Sequence, residues 1–265
     1  MRGIGRFMKG SFDSGDWVEK HRSIFAAKPS LRYYYHEVFA GLIRENLVPG
    51  PTLELGSGPG FLADIVEDVV TSDVAAYPGV RVVCDAHNLL FGDESFSNVF
   101  FVDVLHHLEA PLVCFQEIAR VLRPGGRLVM VEPYTTPLSR IFYKCVHHEF
   151  CYCPGDVWNN SFAGGKEAMV GNVEVTRACL TDQNGPVTGA NPSAGLQLRK
   201  IMLFGGLSYL LTGGFREWQF PPALIRLLYR MEERTRPLWA PLAATRCLAV
   251  LERSRKLTGE ERIHG

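Results

Sequence analysis

This 265-residue chain has no excess of either charge, since 28 Lys and Arg balance 28 Asp and Glu. Without a basic surplus there is no global argument for nucleic acid, and none is expected as a partner. The first residues, Met1-Arg2-Gly3-Ile4-Gly5-Arg6-Phe7, lack the apolar stretch of a secretory signal. No run is long enough to span a bilayer: the longest, Ile201 to Leu211, is broken by Gly205-Gly206. The seven cysteines, at 84, 114, 145, 151, 153, 179 and 247, lack regular spacing. Cys151 and Cys153 form CxC rather than CxxC and no second pair follows, so no metal site is expected, even with His147-His148-Glu149 nearby. A reducing, cytoplasmic setting is the default. No internal repeat or low-complexity tract is present.

What the chain does have is a glycine turn after a short apolar strand, Leu53-Glu54-Leu55-Gly56-Ser57-Gly58-Pro59-Gly60. Glycine at every second position lets the backbone turn tightly and approach a ligand, because no Cβ intervenes. The spacing is not that of the GxGxxG nicotinamide fingerprint, whose third glycine comes one residue later. Glu54, two residues before the first glycine, would repel a pyrophosphate and suit a cationic group. Asp73 follows 19 positions on, the distance at which the second strand of a βαβ unit presents an acid to ribose hydroxyls. A third strand is expected over Val80–Cys84, ending in Asp85-Ala86, and a fourth over Ser97–Val104, ending in Asp103-Val104 with Leu105-His106-His107 beyond. A helix over Pro111–Leu122 stops at Arg123-Pro124-Gly125-Gly126, and a fifth strand, Arg127–Val131, leads into Glu132-Pro133.

This ordered set, over roughly residues 50–135, resembles the class I S-adenosylmethionine-dependent methyltransferases, especially the small-molecule branch with an LHH…RVLRPGGRL signature. The resemblance implies an α/β, Rossmann-like three-layer sandwich with a mostly parallel seven-stranded sheet whose last strand is antiparallel. It implies an enzyme using S-adenosyl-L-methionine. Glu54, Gly56, Ser57, Gly58 and Gly60 would hold the methionine part and Asp73, with Val74, the ribose side. Asp85-Ala86 would read the adenine edge, and Asp103-Val104 would line the methyl-donor site. Ser97-Asn98 departs from the family's usual Phe-Asp, at a position in the turn into the strand. Glu132-Pro133-Tyr134 follows the wrong strand for the Asp-Pro-Pro-Tyr motif of DNA amino-methyltransferases, so no platform for a flipped base is expected. The alternative is a binding or scaffold protein that keeps this fold without catalysis.

The acceptor side is less distinct. His107, just past the fourth strand, is a candidate general base, and His148 is a second one in the segment after the fifth strand. One domain, 1–265, is expected: a helical cover (1–48), a cofactor core (49–135), a loop-rich insertion or lid (136–195) and a substrate-side half (196–265). Within the cover, Ser30 to Asn46 reads as a helix, with two of Tyr33, Tyr34 and Tyr35 in the core. Pro137 to His148 also reads as a helix, and Leu196–Phe204 and Thr245–Leu251 as the last two strands. Pro221 to about Arg236 reads as an amphipathic helix with Leu224, Leu227, Leu228 and Met231 on one stripe and Arg226, Arg230, Glu233 and Arg234 elsewhere. From Leu196 on, 12 Lys and Arg face 6 Asp and Glu, against 16 and 22 before it. That basic quarter offers a peripheral membrane contact for a small-molecule or lipid-linked acceptor.

Overall fold

The structure is a computed structural model describing residues 15–62, 66, 68–146, 151–152, 156–160, 171–188 and 193–254, with 15–17 and 146 described by backbone alone. Its strands are β1 (Thr52–Leu55), β2 (Val69–Asp73), β3 (Val82–Val83), β4 (Phe96–Val102), β5 (Leu122–Pro133), β6 (Leu196–Phe204) and β7 (Arg246–Arg253). They form one sheet in the order β3-β2-β1-β4-β5-β7-β6. β7 runs antiparallel to both β5 and β6, and every pairing from β3 across to β5 is parallel. This is the expected Rossmann-like sheet with its reversed last strand. The chain order inverts at β1, so the carboxyl ends of β1 and β4 flank a crevice where ligands of such sheets bind.

Alternating side chains divide the core between two faces. Val99 and Phe101 of β4, with Leu128 and Met130 of β5, face α4 (Pro111–Val121) and α6 (Glu174–Thr181). Phe100, Val129 and Val131 face the opposite way, toward the N-terminal helices and α8 (Pro222–Ala243). Those N-terminal helices are α1 (Gly15–Ala27), α2 (Pro29–Tyr33) and α3 (Ala40–Arg44), the last two joined by a π-helical run, Tyr34–Phe39. The wider π turn brings Tyr34, Tyr35, Val38 and Phe39 all inward. Two of the three tyrosines are thus core residues, and Tyr33 is half-buried under the Arg226 guanidinium. α5 (Pro137–Val146) and α7 (Leu207–Leu210) complete the helices, and no helix of the described residues is long and apolar enough to cross a membrane.

Several elements differ from expectation. A helix after the glycine turn would fall on a segment of which residues 63–65 and 67 lie outside the described residues; there, Val66 N–H donates to the Leu62 carbonyl, and Asp68 is left-handed at φ 54. Only residues 61–68 separate the turn from β2, room for about two helical turns. β3 has two paired residues rather than five, although Arg81 and Cys84 N–H groups extend the ladder to the Thr71 and Asp73 carbonyls. β5 begins at Leu122, because Pro124-Gly125-Gly126 enters the strand as an irregularity in its pairing with β4.

Residues 150–188 are not all loop. α6 buries Val175, Ala178, Cys179 and Leu180 in the core, and Glu174 fastens its first turn. The buried Glu174 carboxylate pairs with Arg140 (2.8 Å) and Arg177 (3.0 Å) and accepts a bond from Thr135 Oγ1 (3.0 Å). Burial works against its charge, yet Arg177 and Arg140 hold its carboxyl below the ordinary range. On α8, Leu224, Leu227 and Met231 share one face as expected, but that face is exposed, and Ile225 and Ala240 are the buried residues.

Candidate active site at the carboxyl edge of the sheet

Gly56, Gly58 and Gly60 all lie in the left-handed region, at φ 62, 48 and 78. A Cβ on Gly56 would stand 2.4 Å from Val104 Cγ2, so this glycine lets β1 and β4 close up. Gly58 and Gly60 have no atom of the described residues within 4 Å of that position, which leaves space for a ligand. The turn is pinned from below. Ser57 N–H donates to the Ser72 carbonyl (2.9 Å), Ser72 Oγ to the Glu54 carbonyl (2.8 Å), and Gly58 N–H to Asp73 Oδ2 (2.8 Å).

Glu54 is buried, and its Oε2 has no partner among the described residues; Ser57 Oγ is likewise buried and unpaired among them. Burial, with a smaller contribution from Asp73, pushes the Glu54 carboxyl up to about 8. A buried acid without a partner is costly unless neutral or met by a cation. Asp73 is half-buried, its carboxylate held over the turn by Gly58 and Ala75 N–H groups, and the following Val74 is 70% exposed. Asp85 accepts from His87 N–H (2.9 Å) and lies 2.7 Å from His87 Nδ1, while His87 Nε2 accepts from Ala110 N–H (3.3 Å). Ala86 packs against the core beneath.

At the tip of β4, Asp103 is left-handed at φ 59, a strained conformation for a non-glycine residue. Its carboxylate pairs with Arg246, the first residue of β7. The buried Arg246 guanidinium lies 4.9 Å from the ring centres of Phe39 and Tyr209 and donates to Tyr209 Oη (2.8 Å); its Nε has no partner. Burial works against its charge and Asp103 restores it.

Val104 and Leu105 N–H groups donate to Glu132 Oε1 (2.6 and 2.9 Å), and Glu132 Oε2 lies 2.6 Å from His106 Nδ1. Buried Glu132 thereby sets the chain that carries both histidines. The His107 ring stacks beside that of His106 at 4.0 Å. Asp103, His106 and Glu132 could bring ligand atoms within 4.8 Å of one another, but the pairings just given already engage them.

The structure therefore gathers Glu54, the glycine turn, Asp73, Val74, Asp103, Val104 and His107 on one edge, with Asp85-Ala86 at the end of β3. His148 lies outside the described residues, as do His147 and Cys153. The sequence reasoning missed Arg246 and Glu132. Their signal was a lone charge opening an otherwise apolar run, Arg246 before Cys247–Leu251, and another closing one, Glu132 after Leu128–Val131. Aromatic side chains of the N-terminal cover region and Phe215 lie over the turn. Phe25 of α1 stacks on Phe61 (4.1 Å), Phe215 stacks on the same ring (5.6 Å), and Arg22 donates to the Pro59 carbonyl (3.2 Å). Beside this region a groove of about 390 Å³ opens between α5, α7 and α8. Leu138, Phe142, Leu207, Leu210 and Trp239 line it, with Thr245, next to Arg246, as part of its wall.

Residues 53–130 match a family model described as a methyltransferase domain. The chain is similar to a demethylmenaquinone methyltransferase of Mycobacterium sp. (strain KMS), 33% identical over 127 residues, 48% of this chain and 54% of the relative. It is also similar to the ubiquinone/menaquinone biosynthesis C-methyltransferase of Desulfotalea psychrophila, 39% identical over 70 residues, 26% of this chain and 28% of the relative. The chain spans about half the length, or less, of these curated relatives. Among solved structures, an S-adenosylmethionine-dependent methyltransferase from Thermotoga maritima gives a TM-score of 0.52 over 90% of this chain and 97% of its own. At 13% identity this is a likeness of fold.

Proposed function

We propose that this chain, whose residues 53–130 match a methyltransferase domain, is a class I S-adenosylmethionine-dependent methyltransferase that moves a methyl group from S-adenosylmethionine to an apolar small-molecule or lipid-linked acceptor. The observation that carries the donor side is the unpaired buried oxygen of Glu54 beside a glycine turn that leaves open space. A protonated amine there would satisfy the carboxylate and draw its pKa back down. Ser57 Oγ is a second unpaired polar atom for the same group. Asp73, with Val74 beside it, would accept from the ribose hydroxyls, and Asp85-Ala86 would lie against the base. Asp103-Val104 would line the place of the methyl group. The bound cofactor supplies an activated methyl for in-line displacement, which leaves alignment and exclusion of water to the protein. The Phe25, Phe61 and Phe215 roof serves that exclusion. For an acceptor bearing O–H or N–H, His107 would take the proton; His148 is the second candidate for that task.

The apolar groove and the quinone-related names of the curated relatives support an apolar acceptor for this chain. Calorimetry with S-adenosylhomocysteine tests the donor side: binding is expected, and tight NADH binding without any response to S-adenosylhomocysteine would overturn the reading. Incorporation of labelled methyl into a lipid extract tests the acceptor. Label confined to water-soluble products, or none despite cofactor binding, would count against an apolar acceptor.

A further inference from the structure

The exposed face of α8 is organised. At about 100° per residue, Leu224, Leu227, Met231, Leu238 and Leu242 fall within an arc of roughly 60°, opposite the buried Ile225 and Ala240. All five are exposed, Leu238 at 80%. Arg226, Arg230 and Arg234 form the adjoining ridge, all exposed, and none is in a salt bridge among the described residues. The helix's two acids are both occupied and half-buried: Glu232 by Ser208 (N–H to Oε1, 2.8 Å) and Glu233 by Arg236 (2.8 Å). Every exposed ionic group on α8 is therefore an arginine. Exposed apolar side chains are present on the neighbouring α5 and α7 as well, Leu138, Ile141 and Leu207, and Leu138 and Leu207 line the groove.

We propose that this face docks on an anionic lipid bilayer, with α8 lying in the plane of the interface, its leucines inserted and its arginines at the headgroup phosphates. An apolar ridge flanked by cations without salt-bridge partners, Arg226 lying over the Tyr33 ring, is the pattern of a helix that lies on a membrane rather than crossing it. Charge favours lipid over a second copy: antiparallel ridge-to-ridge packing about a two-fold axis would set the arginine rows against each other, whereas anionic headgroups meet all three arginines. Docking this way brings the mouth of the groove to the surface from which an apolar acceptor would enter. The inference concerns the surface and does not require that methyl transfer take place.

The experiment is co-flotation of the full chain with vesicles of phosphatidylcholine alone or mixed with phosphatidylglycerol. Binding is expected to the mixed vesicles and to fall as salt rises. Each arginine near an anionic surface contributes about fivefold to partitioning, so the triple variant Arg226→Gln, Arg230→Gln, Arg234→Gln should lose about a hundredfold. The pair Leu238→Glu, Leu242→Glu should lose more than tenfold, and both sets should keep wild-type affinity for S-adenosylhomocysteine, which shows that they fold. Equal flotation with both vesicle types, or none with either, overturns the proposal. So does a wild-type dimer in sedimentation that the Leu238→Glu variant converts to monomer. Failure to bind S-adenosylhomocysteine while flotation persists would defeat the proposed function and leave the docking surface standing.

Discussion

The carboxyl edge of the sheet is built in two ways. Around β1 and β2, polar groups are buried without partners (Glu54 Oε2, Ser57 Oγ) and the backbone adopts left-handed turns that leave open space. Around β5, β7 and β6 the polar groups are largely satisfied from within: Arg246 by Asp103 and Tyr209, Glu132 by His106 and two backbone N–H groups, Ser208 by Glu232 and Tyr34. What that half leaves open is an apolar groove. An unpaired buried polar atom costs free energy that a ligand returns, so the first half is assembled for a polar, charged ligand. The second carries little such deficit and suits an apolar one. Arg246 Nε, buried and unpaired, sits where the halves meet.

The comparison breaks most sharply at that junction. Arg246→Met would strip Asp103 of its partner and should cost about 3 kcal/mol, the lower end for a broken buried pair, because the Asp103 side chain is 30% exposed. Urea unfolding measures it, and adding Asp103→Asn should restore part of the loss. Unchanged stability in the single variant would mean that the two halves are not joined there. Asp73→Ala comes next. Loss of a charged acceptor for ribose hydroxyls should weaken S-adenosylhomocysteine binding by about 1.5–3 kcal/mol, roughly ten- to hundredfold, in calorimetry. Wild-type affinity in that variant would remove Asp73 from the donor site.

Glu54 sharpens the contrast through pH. Its carboxyl ionises near 4.5 when unfolded and near 8 when folded and ligand-free. Between those values the folded chain holds the proton that the unfolded chain has released. Stability should therefore fall as pH rises across the window, by up to about 1.4 kcal/mol per unit, and level off above it. Glu54→Gln should flatten that slope in unfolding measured from pH 5 to 8 while lowering affinity for S-adenosylhomocysteine about tenfold. A slope unchanged by the substitution would show that Glu54 is ionised in the folded protein and already paired.

The two halves also differed in how readily the sequence disclosed them. Glu54, Gly56, Gly58, Gly60 and Asp73 fall within 20 consecutive positions, and the physics that ties them is local: a strand tip, a tight turn and the next strand tip. Arg246 and Asp103 are 143 positions apart and Glu132 and His106 are 26 apart, and they meet because strands β4, β5 and β7 are neighbours in the sheet. Spacing in one sequence carries no record of such pairings. α8 shows a related limit. Its leucine stripe has helical period, and period identifies an apolar face without saying which of two apolar faces meets the core. Ile225, not Leu224, turned inward.

The smallest expected effect is on cofactor binding when the groove itself is filled. Ala243 lines the groove from α8 and is only half-buried, so a larger side chain there enters open space rather than a packed core. Ala243→Phe should leave S-adenosylhomocysteine affinity within about 0.5 kcal/mol of wild type, since distant sites without shared partners behave independently. The same variant should raise KM for an apolar acceptor by at least about tenfold, since a single methylene group's worth of pocket space already provides that much discrimination. A fall in kcat at unchanged KM would place the groove in alignment of the reacting atoms rather than in holding an apolar body. A matching loss of cofactor affinity would merge the two halves into one site and end the distinction drawn between them.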